Sequence, residues 1–107
     1  DKRGRMTPLS KIQESLALLE TFYNGQETVD SAGTAQTIAA SQELQKGVLV
    51  KALAGNTGIV YVGDADVSSS NGFELSAKEE VFIPVDNLVS VYVDAATNDD
   101  GVSFIGG

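Results

Sequence analysis

The chain of 107 residues contains no cysteine and no histidine. Without cysteine it cannot form disulfides, thiolate metal sites or thiol nucleophiles. Without histidine it lacks the side chain that most often acts as a catalytic base or proton shuttle. We therefore expect a structural or binding protein rather than an enzyme, and we assign no catalytic residue, metal ligand or cofactor.

Long apolar runs and aromatic side chains are also scarce. No stretch approaches the roughly 20 apolar residues that a membrane-spanning helix needs, so we expect no membrane partner. Aromatic residues make up 7% of the chain and hydrophobic residues 42%. This composition predicts a core of Val, Leu, Ile and Ala, and the length predicts one domain with at most one appended element.

Positive charge is scarce outside the first residues. Lys2, Arg3 and Arg5 with Asp1 give the first five residues a net charge of +2, whereas the other 102 residues carry four lysines and fourteen acids, a net charge of −10. Such an acidic body repels nucleic acid and anionic membranes. The basic leader is either a disordered terminus or a segment that docks on an acidic surface.

Residues 1–25 predict the basic leader followed by one N-terminal α-helix. Thr7 is a suitable N-cap, Pro8 suits the first helical position, and Asn24–Gly25 is a stop signal. Apolar residues recur every three or four positions and form a heptad seam: Leu9, Ile12, Leu16, Leu19 and Tyr23. Leu at a with Ile at d favours three or four helices over two. Because a helix of about 16 residues is marginal alone, the seam packs either on its own domain or against copies of itself.

Residues 26–34 are small and polar and predict a linker, and residues 35–107 predict a β-domain. Its most regular apolar runs alternate with polar or small residues, as half-buried strands do. They cover residues 47–54, 58–63, 81–85, 89–94 and 102–105. The pattern predicts an all-β fold, a small antiparallel β-sandwich of jelly-roll or Ig-like type.

Turn signals predict how these strands connect. Further strands are expected at 34–39 and, more weakly, at 65–69. The chain from residue 48 onward resembles a meander of hairpins, with Asn71–Gly72 as its strongest hairpin turn. Pro84 lacks an N–H, which places its strand at a sheet edge or near the end of the strand.

Acids and serines in the loops are the remaining candidates for chemistry. Paired carboxylates act as acid and base in glycosidases, and hard oxygen ligands bind calcium. The acids in question are Asp64, Asp66, Asp94, Asp99 and Asp100. No EF-hand loop is complete, and Ser68–Ser70 lack the Gly-x-Ser-x-Gly elbow of a serine hydrolase. Turn formation and solubility account for these residues better.

Four stretches of the β-domain resemble a known group of proteins. They are KGVLVKA at 46–52, NTGIVYVG at 56–63, SSNGFEL at 69–75 and VSVYVD at 89–94. This pattern is similar to small virion proteins of tailed bacteriophages, the head-fibre and capsid decoration proteins, and the resemblance covers roughly residues 35 to 105. The family's usual Pro-Gly-Glu turn is replaced here by Ala77-Lys78-Glu79, which puts a shared turn type in doubt.

The resemblance implies a β-sandwich displayed on the capsid surface of a virion, with the major capsid protein as partner and trimers of the chain at symmetry points. Residues 1–25 would supply the contacts with the shell or with neighbouring copies. We expect capsid attachment and homotrimer formation to involve Lys2, Arg3, Arg5, Leu9, Ile12, Leu16, Leu19 and Tyr23. The alternative is a receptor- or carbohydrate-binding sandwich of a fibre or adhesin, for which Phe73 and Tyr92 are the candidate contact residues.

Overall fold

The computed structural model describes residues 21–107, so the basic leader and most of the predicted helix lie outside the described residues. From residue 21 onward the chain forms eight strands and one short 3-10 turn at Leu88–Ser90. The strands are β1 (Tyr23–Thr28), β2 (Gln36–Thr37), β3 (Val48–Ala52), β4 (Val60–Gly63), β5 (Phe73–Leu75), β6 (Glu80–Ile83), β7 (Tyr92–Ala95) and β8 (Gly101–Gly106). This part of the chain has no helix with the length and apolar content needed to cross a membrane.

The strands form two four-stranded sheets, and every pairing is antiparallel. Sheet A has the order β1-β8-β3-β6, and sheet B has the order β2-β7-β4-β5. The pairs are nested: β1 binds β8, β2 binds β7, β3 binds β6, and β4 binds β5. The predicted all-β fold with antiparallel sheets is confirmed.

Connections between the strands differ from the predicted meander of hairpins. Only β4 and β5 are consecutive strands that pair in one sheet, and every other connection crosses from one sheet to the other. The meander prediction is wrong because most of the turns carry the chain from one sheet to the other instead of reversing it within a sheet. A turn signal shows that the chain changes direction, but it does not show which sheet the next strand joins.

One core lies between the two sheets and gives them a sandwich-like arrangement. Along β3, Val48, Val50 and Ala52 are buried, whereas Leu49 and Lys51 point outward, as the alternation predicts. The residues that both sheets contribute to this core include Val102, Phe104, Val60, Val62, Leu75, Val93 and Ala95. Burial of each Val or Leu side chain contributes about 1.5–3 kcal/mol, so this row of alternate residues is the main source of stability.

The position of strand β1 differs from the predicted boundary between helix and linker. Residues 23–28 pair along their whole length with β8, so residues 26–28 are strand rather than linker, and the helix does not reach Asn24–Gly25. Gly25 is not a helix stop; it lies beneath the ring of Phe104, where a Cβ would come within 2.8 Å of Phe104 Cζ. A glycine that makes room for an aromatic ring and one that ends a helix look identical in sequence.

The strand predicted at 89–94 is shorter in the structure, because the connection before β7 includes a 3-10 turn. Val89 and Ser90 belong to the 3-10 turn, and β7 begins only at Tyr92. Asn87 caps this turn, because its side chain accepts a hydrogen bond from the Val89 N–H. The prediction of a strand over 89–94 therefore holds only for its second half. The edge position of the strand before Pro84 is confirmed, since β6 is the outer strand of sheet A.

The loop between β4 and β5 replaces the weak strand predicted at 65–69. Val67 is buried in this loop, and Gly72 lies against the side chains of Tyr61 and Val67. Asn71 accepts a hydrogen bond from the Ser68 N–H through its side chain. Asn71–Gly72 thus closes a nine-residue loop that covers Tyr61, and it does not form a two-residue hairpin turn.

Gly101 is a position where any side chain should disturb the fold. An added Cβ would lie 2.7 Å from Thr28 Cα and closer still to the Glu27 carbonyl oxygen, so strand β1 would have to move. We expect Gly101→Ala to lower the free energy of unfolding by about 2 kcal/mol or more, within the range for overpacked sites. Chemical denaturation followed by circular dichroism measures this change.

Gly55→Ala is the matched control for Gly101→Ala, because nothing lies within 4 Å of a Cβ added at Gly55. We expect it to change the free energy of unfolding by less than about 1 kcal/mol. Equal effects of the two substitutions would show that β1 is not packed against β8 at this point.

Candidate functional site

Most of the residues predicted to make attachment and oligomer contacts lie outside the described residues. These are Lys2, Arg3, Arg5, Leu9, Ile12, Leu16 and Leu19. Tyr23 is the exception: it is the first residue of β1, it pairs with Gly106, and its half-buried side chain packs against the core. Tyr23 therefore cannot continue a heptad seam, and the predicted seam is reduced to the four earlier apolar residues.

Asp100 is buried at the end of the sandwich where β7 turns into β8, with only 5% of its surface exposed. Its Oδ1 accepts a hydrogen bond from the Thr57 N–H at 2.9 Å, and its Oδ2 accepts one from the Gly58 N–H at 2.7 Å. Both carboxylate oxygens therefore bind the loop between β3 and β4. Backbone N–H groups that would otherwise be unpaired are satisfied in this way.

Asp94 and Asn98 make equivalent contacts with the loop between β1 and β2. Asp94 Oδ1 accepts hydrogen bonds from the N–H groups of Gly33 (2.9 Å) and Ala95 (2.7 Å). Asn98 Oδ1 accepts one from the Ala32 N–H at 2.7 Å. The sequence alternation places Asp94 on the solvent side of its strand, but this loop covers it and leaves it 2% exposed.

Asp64 and Ser68 bind their own loop. Asp64 Oδ1 accepts a hydrogen bond from the Asp66 N–H, and Ser68 Oγ accepts one from the Ser70 N–H. Among residues 21–107, no three side chains of Asp, Glu, His or Cys lie together in a group that could hold a metal ion. Asp64, Asp94 and Asp100 thus stabilise loops and turns, the role that the sequence favoured for them.

The two aromatic candidates for a sugar or receptor contact lie on opposite faces of sheet B. Phe73 is opposite Val62, so it shares the inward face, and it is 57% exposed at the sheet edge. Tyr92 is opposite Gly63 on the outward face and is half-buried. Since a common binding platform needs both rings on one face, these two residues do not form one.

Phe73 instead lines a cleft at the edge of the sandwich where β5 and β6 face each other. The cleft has a volume of about 370 Å³. Its walls are mainly the apolar side chains of Val62, Val81, Ile83 and Val85. Asp64 and Ser90 are the polar residues that line it, and the rest of the lining is apolar or glycine.

A second apolar surface, which we call the terminal groove, lies on the outer face of sheet A where the chain enters β1 and leaves β8. It is lined by Phe22, Lys46, Gly47, Phe82, Ile105, Gly106 and Gly107. Phe22 is 60% exposed, Phe82 54% and Ile105 46%, so three of the five exposed large apolar side chains between residues 21 and 107 lie here. A cluster of this kind on a surface marks a contact site more often than a scattered apolar residue does.

Sequence reasoning did not identify the terminal groove, although a signal for it was present. Val81 and Ile83 alternate with Phe82, and Phe104 is followed by Ile105. Val81, Ile83 and Phe104 pack in or against the core, so the alternation places their neighbours Phe82 and Ile105 on the solvent side. Their convergence depends on strand order: Phe82 and Ile105 are both opposite Leu49, from β6 and β8 on either side of β3.

Comparison of the chain with protein-family models, with curated proteins and with solved structures finds no match. A proposal of function therefore depends on the strand arrangement, the surface of the sandwich and the sequence resemblance described above.

The two carboxylates at the turn between β7 and β8 should respond differently to amidation. Asp100→Asn replaces one acceptor oxygen with an NH₂ group that faces a backbone N–H, so we expect it to lower the free energy of unfolding by about 1–3 kcal/mol. Asp99→Asn removes the same charge from an exposed residue with φ of 72°, a backbone conformation that Asn adopts readily. We expect a change within about 0.5 kcal/mol for this control.

Urea denaturation of the two variants measures the difference. Equal destabilisation would mean that the lost charge matters, and that the hydrogen bonds of Asp100 to Thr57 and Gly58 contribute little.

Proposed function

We propose that the chain is a structural protein of a tailed-bacteriophage virion, a capsid decoration or head-fibre protein that acts as a homotrimer on the capsid surface. The proposal is carried by the nested strand pairing of the β-domain, taken with the virion-like strands at 46–52, 56–63, 69–75 and 89–94. The role is that of a non-enzymatic binding protein whose partners are the major capsid protein and other copies of itself.

The strand order supports a jelly roll as the type of sandwich. A jelly roll has eight strands in two sheets and is built from two Greek keys, and it is found in viral capsid proteins and in lectins. Here the pairs β1–β8 and β3–β6 lie in sheet A, and β2–β7 and β4–β5 lie in sheet B. An Ig-like sandwich would instead place the first two consecutive strands side by side in one sheet.

A fold of this kind hosts many functions, so it cannot select one by itself. The sequence resemblance is what selects a virion function, because its four stretches fall on or beside β3, β4, β5 and β7. Each stretch thus contains residues that form the sandwich, and none is a catalytic motif. This distribution suits a protein that acts through its shape and displayed surface.

The distribution of charge supports attachment through the N-terminal segment. Residues 21–107 contain three lysines and twelve acids, a net charge of −9, whereas the first five residues carry +2. The leader residues Lys2, Arg3 and Arg5 would contact an acidic surface of the major capsid protein. The acidic sandwich would project into solvent, where its charge keeps it soluble. Three copies of a weak attachment bind more tightly together without any new contact.

We expect the full chain to sediment as a trimer at micromolar concentration, with three times the chain mass of 11.2 kDa. The double substitution Ile12→Asn with Leu16→Asn should dissociate the trimer, because polar side chains at two seam positions remove the apolar contact between helices. The control Lys11→Asn with Gln13→Asn introduces the same residue at off-seam positions and should leave the trimer intact. Analytical ultracentrifugation measures all three masses, and a monomeric parent chain would contradict the proposal.

Attachment is tested with capsid shells assembled from the major capsid protein that is encoded together with this chain. We expect the trimer to cosediment with the shells, and the variant with Gln at Lys2, Arg3 and Arg5 to bind at least about tenfold more weakly in 50 mM salt. The difference should shrink in 500 mM salt, because ions screen exposed charges. Lys51→Gln with Lys78→Gln is the control for lost positive charge on the sandwich, and equal weakening there would exclude a specific role of the leader.

A further inference from the structure

We propose that the terminal groove is the surface on which a second copy of this chain docks within the oligomer. The inference rests on the proposed homotrimer and extends it, since it assigns part of the subunit contact to the β-domain itself. The groove carries this inference because its three large apolar side chains, Phe22, Phe82 and Ile105, are each about half exposed.

The position of the groove favours a copy of the chain as its occupant. Phe22 lines the groove and immediately precedes β1, so the predicted seam of Leu9, Ile12, Leu16 and Leu19 joins the sandwich at this surface. Copies that associate through the seam would bring their sandwiches together at this end first. The opposite ends, with the loops held by Asp94 and Asp100, would lie farthest from the seam.

The size of the groove also indicates that it is one part of a larger contact between copies of the chain. Taking about 200 Å² for each large side chain, its exposed apolar area is roughly 300 Å². A stable protein interface buries about 800 Å² on each partner, so the groove is too small to hold an unrelated protein by itself. The remaining contact would come from the predicted seam of the preceding segment, which the proposed homotrimer already requires.

The low charge of the groove allows two acidic sandwiches to come into contact there. Among residues 21–107 no acid lines it, and Lys46, one of three lysines in this part of the chain, is the one charged residue that does. Farther along the same outer face of sheet A, Lys51 pairs in register with Glu80, and there the surface is charged. A second copy with a net charge of −9 in its sandwich would meet a neutral surface and one lysine here.

Thiol labelling tests the inference, because the chain has no cysteine of its own. Ile105→Cys places a thiol in the groove, and Phe73→Cys places a comparably exposed thiol in the separate cleft between β5 and β6, outside the groove. We expect a maleimide to label the Ile105→Cys thiol at least tenfold more slowly in the trimer than in the same chain made monomeric by Asn at Ile12 and Leu16. The Phe73→Cys thiol should react at equal rates in both states.

The outcomes separate this inference from the proposed function. A trimer whose Ile105→Cys thiol reacts as fast as in the monomer would overturn the inference and leave the trimer in place. A thiol protected equally in the monomer would also overturn it, because residues of the same chain would then cover the groove. A parent chain that sediments as a monomer would overturn the homotrimer itself.

A double variant provides a second test that does not depend on thiol labelling. Phe82→Ser with Ile105→Ser should raise the concentration at which half of the trimer dissociates by at least about tenfold. Phe73→Ser should leave this concentration unchanged, and circular dichroism checks that both variants are folded. Equal dissociation of the parent and the double variant would contradict a subunit contact at the groove.

Discussion

Burial of alternate side chains between the two sheets is the interaction on which the rest of the structure depends. Apart from β4 and β5, every pair of bonded strands joins segments far apart in sequence, up to Tyr23 with Gly106. Closing such loops has an entropic cost that short-range contacts do not offset. Only the joint burial of the inward rows, represented by Val50, Val62, Val93 and Val102, provides enough free energy.

The loops and sheet edges follow from this constraint. The buried carboxylates of Asp94 and Asp100 accept hydrogen bonds from loop N–H groups, so the sandwich ends need no apolar cover there. Three of the four edge strands have features that disfavour pairing with other chains: β2 and β5 are two and three residues long, and Pro84 follows β6. Between the edge strands β1 and β2, the Gln36 side chain donates to Glu27 and to the Thr28 carbonyl oxygen.

The period-two alternation was sufficient to predict much of the fold. It gave the all-β class and the inward rows of β3 and β8, and the missing N–H of Pro84 gave the edge position of the strand before it. It failed at β1, where Gly25 accommodates the Phe104 ring, and at Val89, where a capped turn replaces a strand. It could not give the strand order, because a turn residue does not specify the sheet that the chain enters next. The terminal groove depends on that order, so the sequence held its residues without showing that they meet.

The same alternation relates the fold to the proposed role. Outward residues of a sandwich are normally polar, yet Leu49, Phe82 and Ile105 form an outward apolar row across three strands of sheet A. This row lies beside the start of β1, where the segment with the predicted seam precedes the sandwich, and residues 21–107 carry a net charge of −9. One end of the molecule is thus suited to contact and the other to solvent, as a protein displayed on a particle requires.

Electron cryomicroscopy of capsid shells incubated with the full chain tests whether the protein decorates capsids as a trimer. We expect added density with threefold symmetry on the outside of the shell, with three sandwiches meeting at the ends that carry the terminal groove. Shells that stay bare at saturating concentrations of the chain, or that bind single separated copies, would contradict it.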